Sequence, residues 1–175
     1  MIHIRKATKD DISAVAAIYD HVLTEEEAGR ATIGWVRGIY PTRQTALDAL
    51  EAGSLFVLEA AGTITAAAKI DQQQVPEYQN AQWRYPDTPE NQIMVLHTLV
   101  VEPACAGTGY GSAFVRFYER YAKEHQCSSL RMDTNVKNQA ARKLYACLGY
   151  WEAGVVACVF NGIPDVALVC LEKKV

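Results

Sequence analysis

Apolar and polar residues alternate over residues 2–7 (IHIRKA), which predicts a strand. Thr8 and Asp11 follow at the spacing of a capping box. Behind them Ile12, Val15, Ala16, Tyr19, Val22 and Leu23 recur at helical intervals, so 10–23 reads as an amphipathic helix. EEEAGR then reads as a polar break, and residues 31–40 (ATIGWVRGIY) keep no period. Pro41-Thr42 opens a second helix that runs through Leu50 and stops near Gly53. SLFVLEA and TITAAAKI flank Ala61-Gly62 as an antiparallel hairpin.

Residues 71–91 (DQQQVPEYQNAQWRYPDTPEN) carry three prolines and no period, and predict a lid, a binding loop or a flexible segment. Residues 92–101 (QIMVLHTLVV) form a nearly unbroken apolar run, expected to be a central strand buried on both faces. Past Pro103 and a glycine-rich turn, Phe114, Phe117, Tyr118, Tyr121 and Ala122 share one helical face. SSLRMDT reads as a strand, NQAARKLYACLG as a short helix stopped by Gly149, and YWEAGVVACVF with IPDVALVCLEK as a hairpin about Asn161-Gly162.

The resulting order, β-α-α-β-β-β-α-β-α-β-β, implies an α/β (α+β) class: one mixed sheet with helices on its faces. A chain of 175 residues, half hydrophobic and about a fifth charged, makes a single domain with a full core. The net charge of -3 argues against nucleic acid as a partner but leaves room for a local phosphate site. No apolar stretch reaches membrane length, so no membrane association is expected, and the charged start MIHIRKATKDD does not read as a signal peptide. Five cysteines without a C-x-x-C, and four scattered histidines, suggest reduced thiols in a cytoplasmic protein and no metal site.

The chemistry concentrates at Gly107-Thr108-Gly109-Tyr110-Gly111, between a strand and a helix. Glycines let backbone N–H groups converge, and a helix N-terminus adds partial positive charge, so the turn suits a diphosphate. A dinucleotide on a Rossmann unit is one option, with Asp133 roughly where the ribose-binding acid belongs, although the G-x-G-x-x-G spacing is broken. No Gly-Lys-[Ser/Thr] follows, so the turn is not a Walker loop.

Coenzyme A is the other option. LHTLVV with EPACAGTGYG, then NQAARKLYACLGY, then the closing hairpin, together resemble the GCN5-related N-acetyltransferase (GNAT) family. The family's strand is followed by a [Q/R]-x-x-G-x-[G/A] loop, and its later helix carries N-x-x-A-x-x-L-Y-x-x-x-G-[F/Y]. The resemblance implies a mostly antiparallel central sheet and transfer of an acetyl group from acetyl-CoA to a primary amine of a small molecule or peptide. It assigns the pantetheine arm to Leu99, Val100 and Val101. The diphosphate falls to the turn formed by Ala106, Gly107, Thr108, Gly109, Tyr110, Gly111 and Ser112. Asn138 would hold the arm, cap its helix, or do both. Tyr145 would protonate the leaving thiolate, and His97 would be the base or order a water that is.

The family carries Arg or Gln where this chain has Ala106, so backbone donors, or Lys137, Arg142 or Lys143, would have to serve the phosphates. The acceptor is expected between residues 24–40 and 71–91, where Glu25, Glu26 and Glu27 could attract a cation and Trp35, Tyr78, Trp83 and Tyr85 could line a pocket or pin the loop. Homodimerisation is left open. A CoA-binding regulator without turnover, and a nucleotide-binding protein, are the alternatives.

Overall fold

A computed structural model describes residues 2–175. The strands β1 (Ile2–Lys6), β2 (Leu55–Ala60), β3 (Thr63–Asp71), β4 (Ile93–Val101), β5 (Ser129–Asn135), β6 (Trp151–Phe160) and β7 (Ile163–Lys174) make one sheet, ordered β1-β2-β3-β4-β5-β7-β6. The helices are α1 (Ile12–Glu27), α2 (Arg43–Glu51), α3 (Tyr110–Glu124) and α4 (Gln139–Cys147). All neighbouring strands run antiparallel except β4 and β5. This is the mixed, mostly antiparallel sheet expected, and it is not the parallel sheet that a Rossmann dinucleotide site requires.

Turn chemistry sets both hairpins. Ala61 and Gly62 have φ of 50° and 80°, and Asn161 and Gly162 have 51° and 79°. Two successive left-handed residues match the twist of the flanking strands. Strand alternation then sorts side chains to two faces. Leu58, Ala68, Met94, Leu96, Met132 and Leu171 pack against Phe114, Val115, Tyr118 and Tyr145 of α3 and α4. Val57, Ala67 and Val100 point the other way, to α1 and α2, while Ile93, Val95, Leu168 and Cys170 meet Tyr78. The Tyr118 hydroxyl donates toward Met94 O at 2.6 Å and lies 3.1 Å from Arg131 O, which ties β4 to β5 from beneath.

Three expectations change. The acidic run is not a break, because α1 continues through Glu27. Glutamate is a good helix former, and each of the three finds a partner on the following segment. Strand β4 is buried on both faces only over Ile93–Leu96; His97, Thr98, Leu99 and Val101 are half-buried. The 71–91 segment, expected as a lid, a binding loop or a flexible stretch, is anchored to the sheet. It is held by two short 3-10 turns, the buried Tyr78, and polar anchors from β5 and β7.

Candidate active site

The site forms where β4 and β5 part. Their ladder has four rungs, from Ile93↔Ser129 to Leu96↔Met132. Beyond it, Thr98 to Val101 have no partner on β5 among the described residues. The parting coincides with a bulge on the other side of β4. Ala67 pairs with Val100 and Lys69 with His97, so Thr98 and Leu99 together oppose Ala68. Thr98 sits at φ 52°, a rare setting for a β-branched residue, and its hydroxyl is hydrogen-bonded to that of Tyr40. A cleft of about 820 Å³ opens in the gap and reaches both faces of the sheet. His97, Leu99, Val100, Val101, Asn138 and Tyr145, all singled out in the sequence, line it together.

His97 and Asp133 follow the last rung on their respective strands and share the face of α1. His97 Nε2 lies 3.0 Å from Asp71 Oδ1, and Lys69 Nζ lies 3.1 Å from Asp71 Oδ2. Burial acts to raise the Asp71 pKa, but His97, the Gln73 amide and Lys69 together hold it below its ordinary value. An ionised Asp71 accepts from Nε2–H, which leaves Nδ1 as the basic nitrogen of the neutral ring. Asp133 Oδ2 accepts from the Tyr78 hydroxyl at 2.7 Å. Burial pushes the Asp133 carboxyl up to about 6, offset in part by Tyr78 and His97. Neither Asp71 as a partner of His97 nor Asp133 as a neighbour of that pair was legible in the sequence: the first seemed to open a loop, and the second was considered only for a ribose.

Tyr145 stands on the opposite face of the sheet, in α4, only 6% exposed and bordering the cleft. Burial, then the charge of Asp133, pushes its phenol well above the usual range, so it keeps its proton. Asn138 caps α4, its Oδ1 accepting from Ala141 N at 3.1 Å, and also borders the cleft.

The glycine turn adjoins the cleft rather than lining it. A Cβ on Gly111 would lie 3.3 Å from Leu144 Cδ2 and 3.8 Å from Val101 Cγ2, so α3 starts against both α4 and the end of β4. Gly107 and Gly109 have φ of 78° and 86°, and a Cβ on either would meet nothing within 4 Å. Conformation, not space, calls for glycine there. Gly109 is the N-cap of α3, and no side chain caps it. The Ala106 and Thr108 amides are engaged inside the turn, with Pro103 O at 3.0 Å and Cys105 O at 3.3 Å. The donors left for an anion are therefore Gly107 and the first turn of α3, Gly109 to Ser112, a set suited to a diphosphate. Arg142 does not stand in for the missing long side chain at Ala106, because it is paired with Glu152 at 2.8 and 2.9 Å. Lys137 and Lys143 are exposed.

The acidic run at the end of α1 serves the loop, not the cleft. Glu25 pairs with Arg30 at 2.8 Å, Glu26 accepts from the amides of Ile33 at 2.5 Å and Gly34 at 3.0 Å, and Glu27 pairs with Arg37 at 2.8 Å. That clasp carries Trp35 to the cleft wall. Trp83 and Tyr85 hold the 71–91 segment instead: Trp83 Nε1 donates to Tyr78 O at 2.9 Å, and Arg131 donates to Tyr85 O at 3.2 Å. Gly34 has φ 84°, and a Cβ there would lie 2.3 Å from Asn135 Nδ2. Gly34→Ala is therefore expected to cost about 1–2 kcal/mol and lower the melting midpoint by about 5 °C, read by calorimetry. An unchanged midpoint would show that the loop does not rest on β5.

Among the described residues no group of three or more His, Cys, Asp or Glu stands ready to hold a metal, and no described helix is long and apolar enough to cross a membrane.

No curated protein matches the chain by sequence. Solved structures do match in fold. A GNAT-family acetyltransferase from Streptococcus agalactiae superposes with a TM-score of 0.82 at 18% identity, covering 99% of this chain and 95% of its own. The yncA protein of Salmonella typhimurium, solved with its cofactor acetyl-CoA, gives 0.70 at 20% identity over 99% and 94%. The ribosomal-protein-S18-alanine N-acetyltransferase of Escherichia coli gives 0.69 at 17% over 99% and 94%. The model of the acetyltransferase (GNAT) family matches residues 16–150, well over half of the sequence; the chain belongs to that family and is an acetyl-CoA-dependent acetyltransferase.

Proposed function

We propose that the protein is an N-acetyltransferase that moves the acetyl group to a primary amine of a small molecule or peptide by direct attack in a ternary complex. One observation carries this reading: a single cleft through the sheet has an oriented histidine on one face and a protonated tyrosine on the other. Bound there, acetyl-CoA supplies an acyl group on a thiol leaving group.

The unpaired edge of Leu99, Val100 and Val101 takes the pantetheine arm as an added strand, and an amide on that edge polarises the thioester carbonyl. The free amides of Gly107 and Gly109–Ser112 take the diphosphate, with Ala106 adding no side-chain contact. The remaining donor of Asn138 faces the arm. His97 takes the ammonium proton at Nδ1. The neutral nitrogen forms the new C–N bond as the C–S bond breaks, Tyr145 gives its proton to the departing sulfur, and the surplus proton of the new amide nitrogen restores the Tyr145 phenol while His97 returns its own proton to solvent. The acceptor enters on the α1 face. The fold neighbour named for acting on an alanine amine is consistent with an N-acceptor. Five free cysteines favour a reducing, cytoplasmic setting.

A panel of primary amines and N-terminally free peptides, followed by thiol detection, tests the reading: CoA should appear only when an amine is present. No release with any amine would overturn it in favour of a CoA-binding regulator. His97→Asn is expected to lower kcat about a hundredfold and to remove the acidic limb of its pH profile. A profile that keeps that limb would take the base role away from His97.

A further inference from the structure

We propose that Asp133 is an acceptor-binding residue: its carboxylate receives the ammonium of the incoming amine at the β4–β5 gap and presents it to His97, so the enzyme selects positively charged acceptors over neutral ones of the same shape. This rests on the amine-acetylation reading.

Three observations lead to it. First, position: Asp133 is the residue after the last β4–β5 rung, on the same face as His97, and it borders the cleft. Second, Asp133 makes no ion pair among the described residues. Oδ2 has the Tyr78 hydroxyl, whereas Oδ1 has no hydrogen-bond donor among the described residues. The ionisable groups that face it are Glu77 and Tyr78 from the pinned segment, Tyr40, His97 of β4, Tyr145 of α4, Cys158 of β6 and Cys170 of β7. His97 is the one among them able to carry positive charge. Lys69, which also borders the cleft, is taken by Asp71 at 3.1 Å. A sheltered carboxylate open to a cavity and without a cation invites one from a ligand. Third, the surroundings: Tyr19, Trp35, Tyr40 and Phe160 border the cleft from the same face and suit the apolar body of an amine.

The chemistry fits the proposed base. An ammonium held by Asp133 lies beside His97, which removes its proton before attack. With its pKa near 6 in the free enzyme, Asp133 is ionised at pH 8 and largely neutral at pH 5.

Binding measurements test this without turnover. The protein saturated with CoA is titrated calorimetrically at pH 8 with 2-phenylethylamine, and separately with 2-phenylethanol as the neutral match. The amine is expected to bind at least about tenfold more tightly, the order of one charge-assisted contact. Asp133→Asn should abolish that preference while leaving CoA affinity within about twofold, which also reports that the variant is folded. In a His97→Asn background, free of a competing imidazolium, the preference should fade between pH 7 and pH 5. Equal binding of amine and alcohol, no binding of either, a preference that survives in Asp133→Asn, or one that ignores pH would each overturn the role of Asp133. Loss of charge selection with thiol release intact removes this inference alone; absence of thiol release removes the acetylation reading instead.

Discussion

Tyr145→Phe is expected to lower kcat by about a hundredfold or more while acetyl-CoA affinity stays within about twofold. The size follows from what the hydroxyl is asked to do. Attack on a thioester stalls unless the departing thiolate is protonated or held, and Tyr145 is the hydroxyl on the α4 side of the cleft. Its burial keeps the phenol protonated across the working pH range, so phenylalanine removes the proton and little else. The ring packs edge-on to Tyr150 with centroids 6.0 Å apart, and phenylalanine preserves that contact. Single-turnover kinetics with CoA release as the readout, alongside acetyl-CoA titration, separates chemistry from binding. Unimpaired turnover would remove Tyr145 from the reaction; an equal loss in affinity would make it a binding residue.

Glu172→Gln is expected to destabilise the protein by about 3 kcal/mol. Arg131 and Glu172 are 5% and 1% exposed in their side chains, 3.4 Å apart, on β5 and β7. Glu172 also accepts from the amides of Arg84 at 2.8 Å and Tyr85 at 3.2 Å, and from Ser129 Oγ at 3.3 Å. Arg131 reaches Gln74 Oε1 at 2.6 Å and stacks on Trp83 with its guanidinium carbon 4.1 Å from the ring centre. The pair thus fastens both ends of the 71–91 segment to the sheet, and Tyr78, which meets Asp133, rides on that segment. Removing one charge strands the other in a site that water does not reach. Denaturant unfolding should show the loss, and amide exchange should rise first over residues 72–92. Arg131→Met with Glu172→Leu should recover little of the stability, because an apolar pair leaves the Arg84 and Tyr85 amides and the Ser129 hydroxyl without their acceptor. Unchanged stability in Glu172→Gln would show that the segment is held by its aromatic contacts instead.

The proposed site was legible in proportion to how local its parts are. The glycine turn could be found because left-handed residues and a helix start leave a signature within a few positions. Tyr145 and Asn138 came with one short helical motif. His97 stood out as a polar residue inside an apolar strand. The acceptor side was harder. Glu25, Glu26 and Glu27 suggested a cation trap in sequence, yet their partners are Arg30, two loop amides and Arg37, which only the path of the 28–41 loop determines. Three of the four aromatics considered for the pocket instead pin the 71–91 segment or touch Asp133 from behind.

By itself the sequence determined the element order, both tight hairpins and the glycine-opened helix, because each follows from turn geometry or hydrophobic period over a short stretch. The tertiary structure alone decided the opening between β4 and β5, the bulge at Thr98 and the pairs His97–Asp71 and Asp133–Tyr78. Those pairs join residues 26 and 55 positions apart. Thr98 has no local preference for φ 52°; strand register and the Tyr40 contact impose it. Cross-strand register and shared burial are properties of the assembled sheet, and they decide which polar side chains meet.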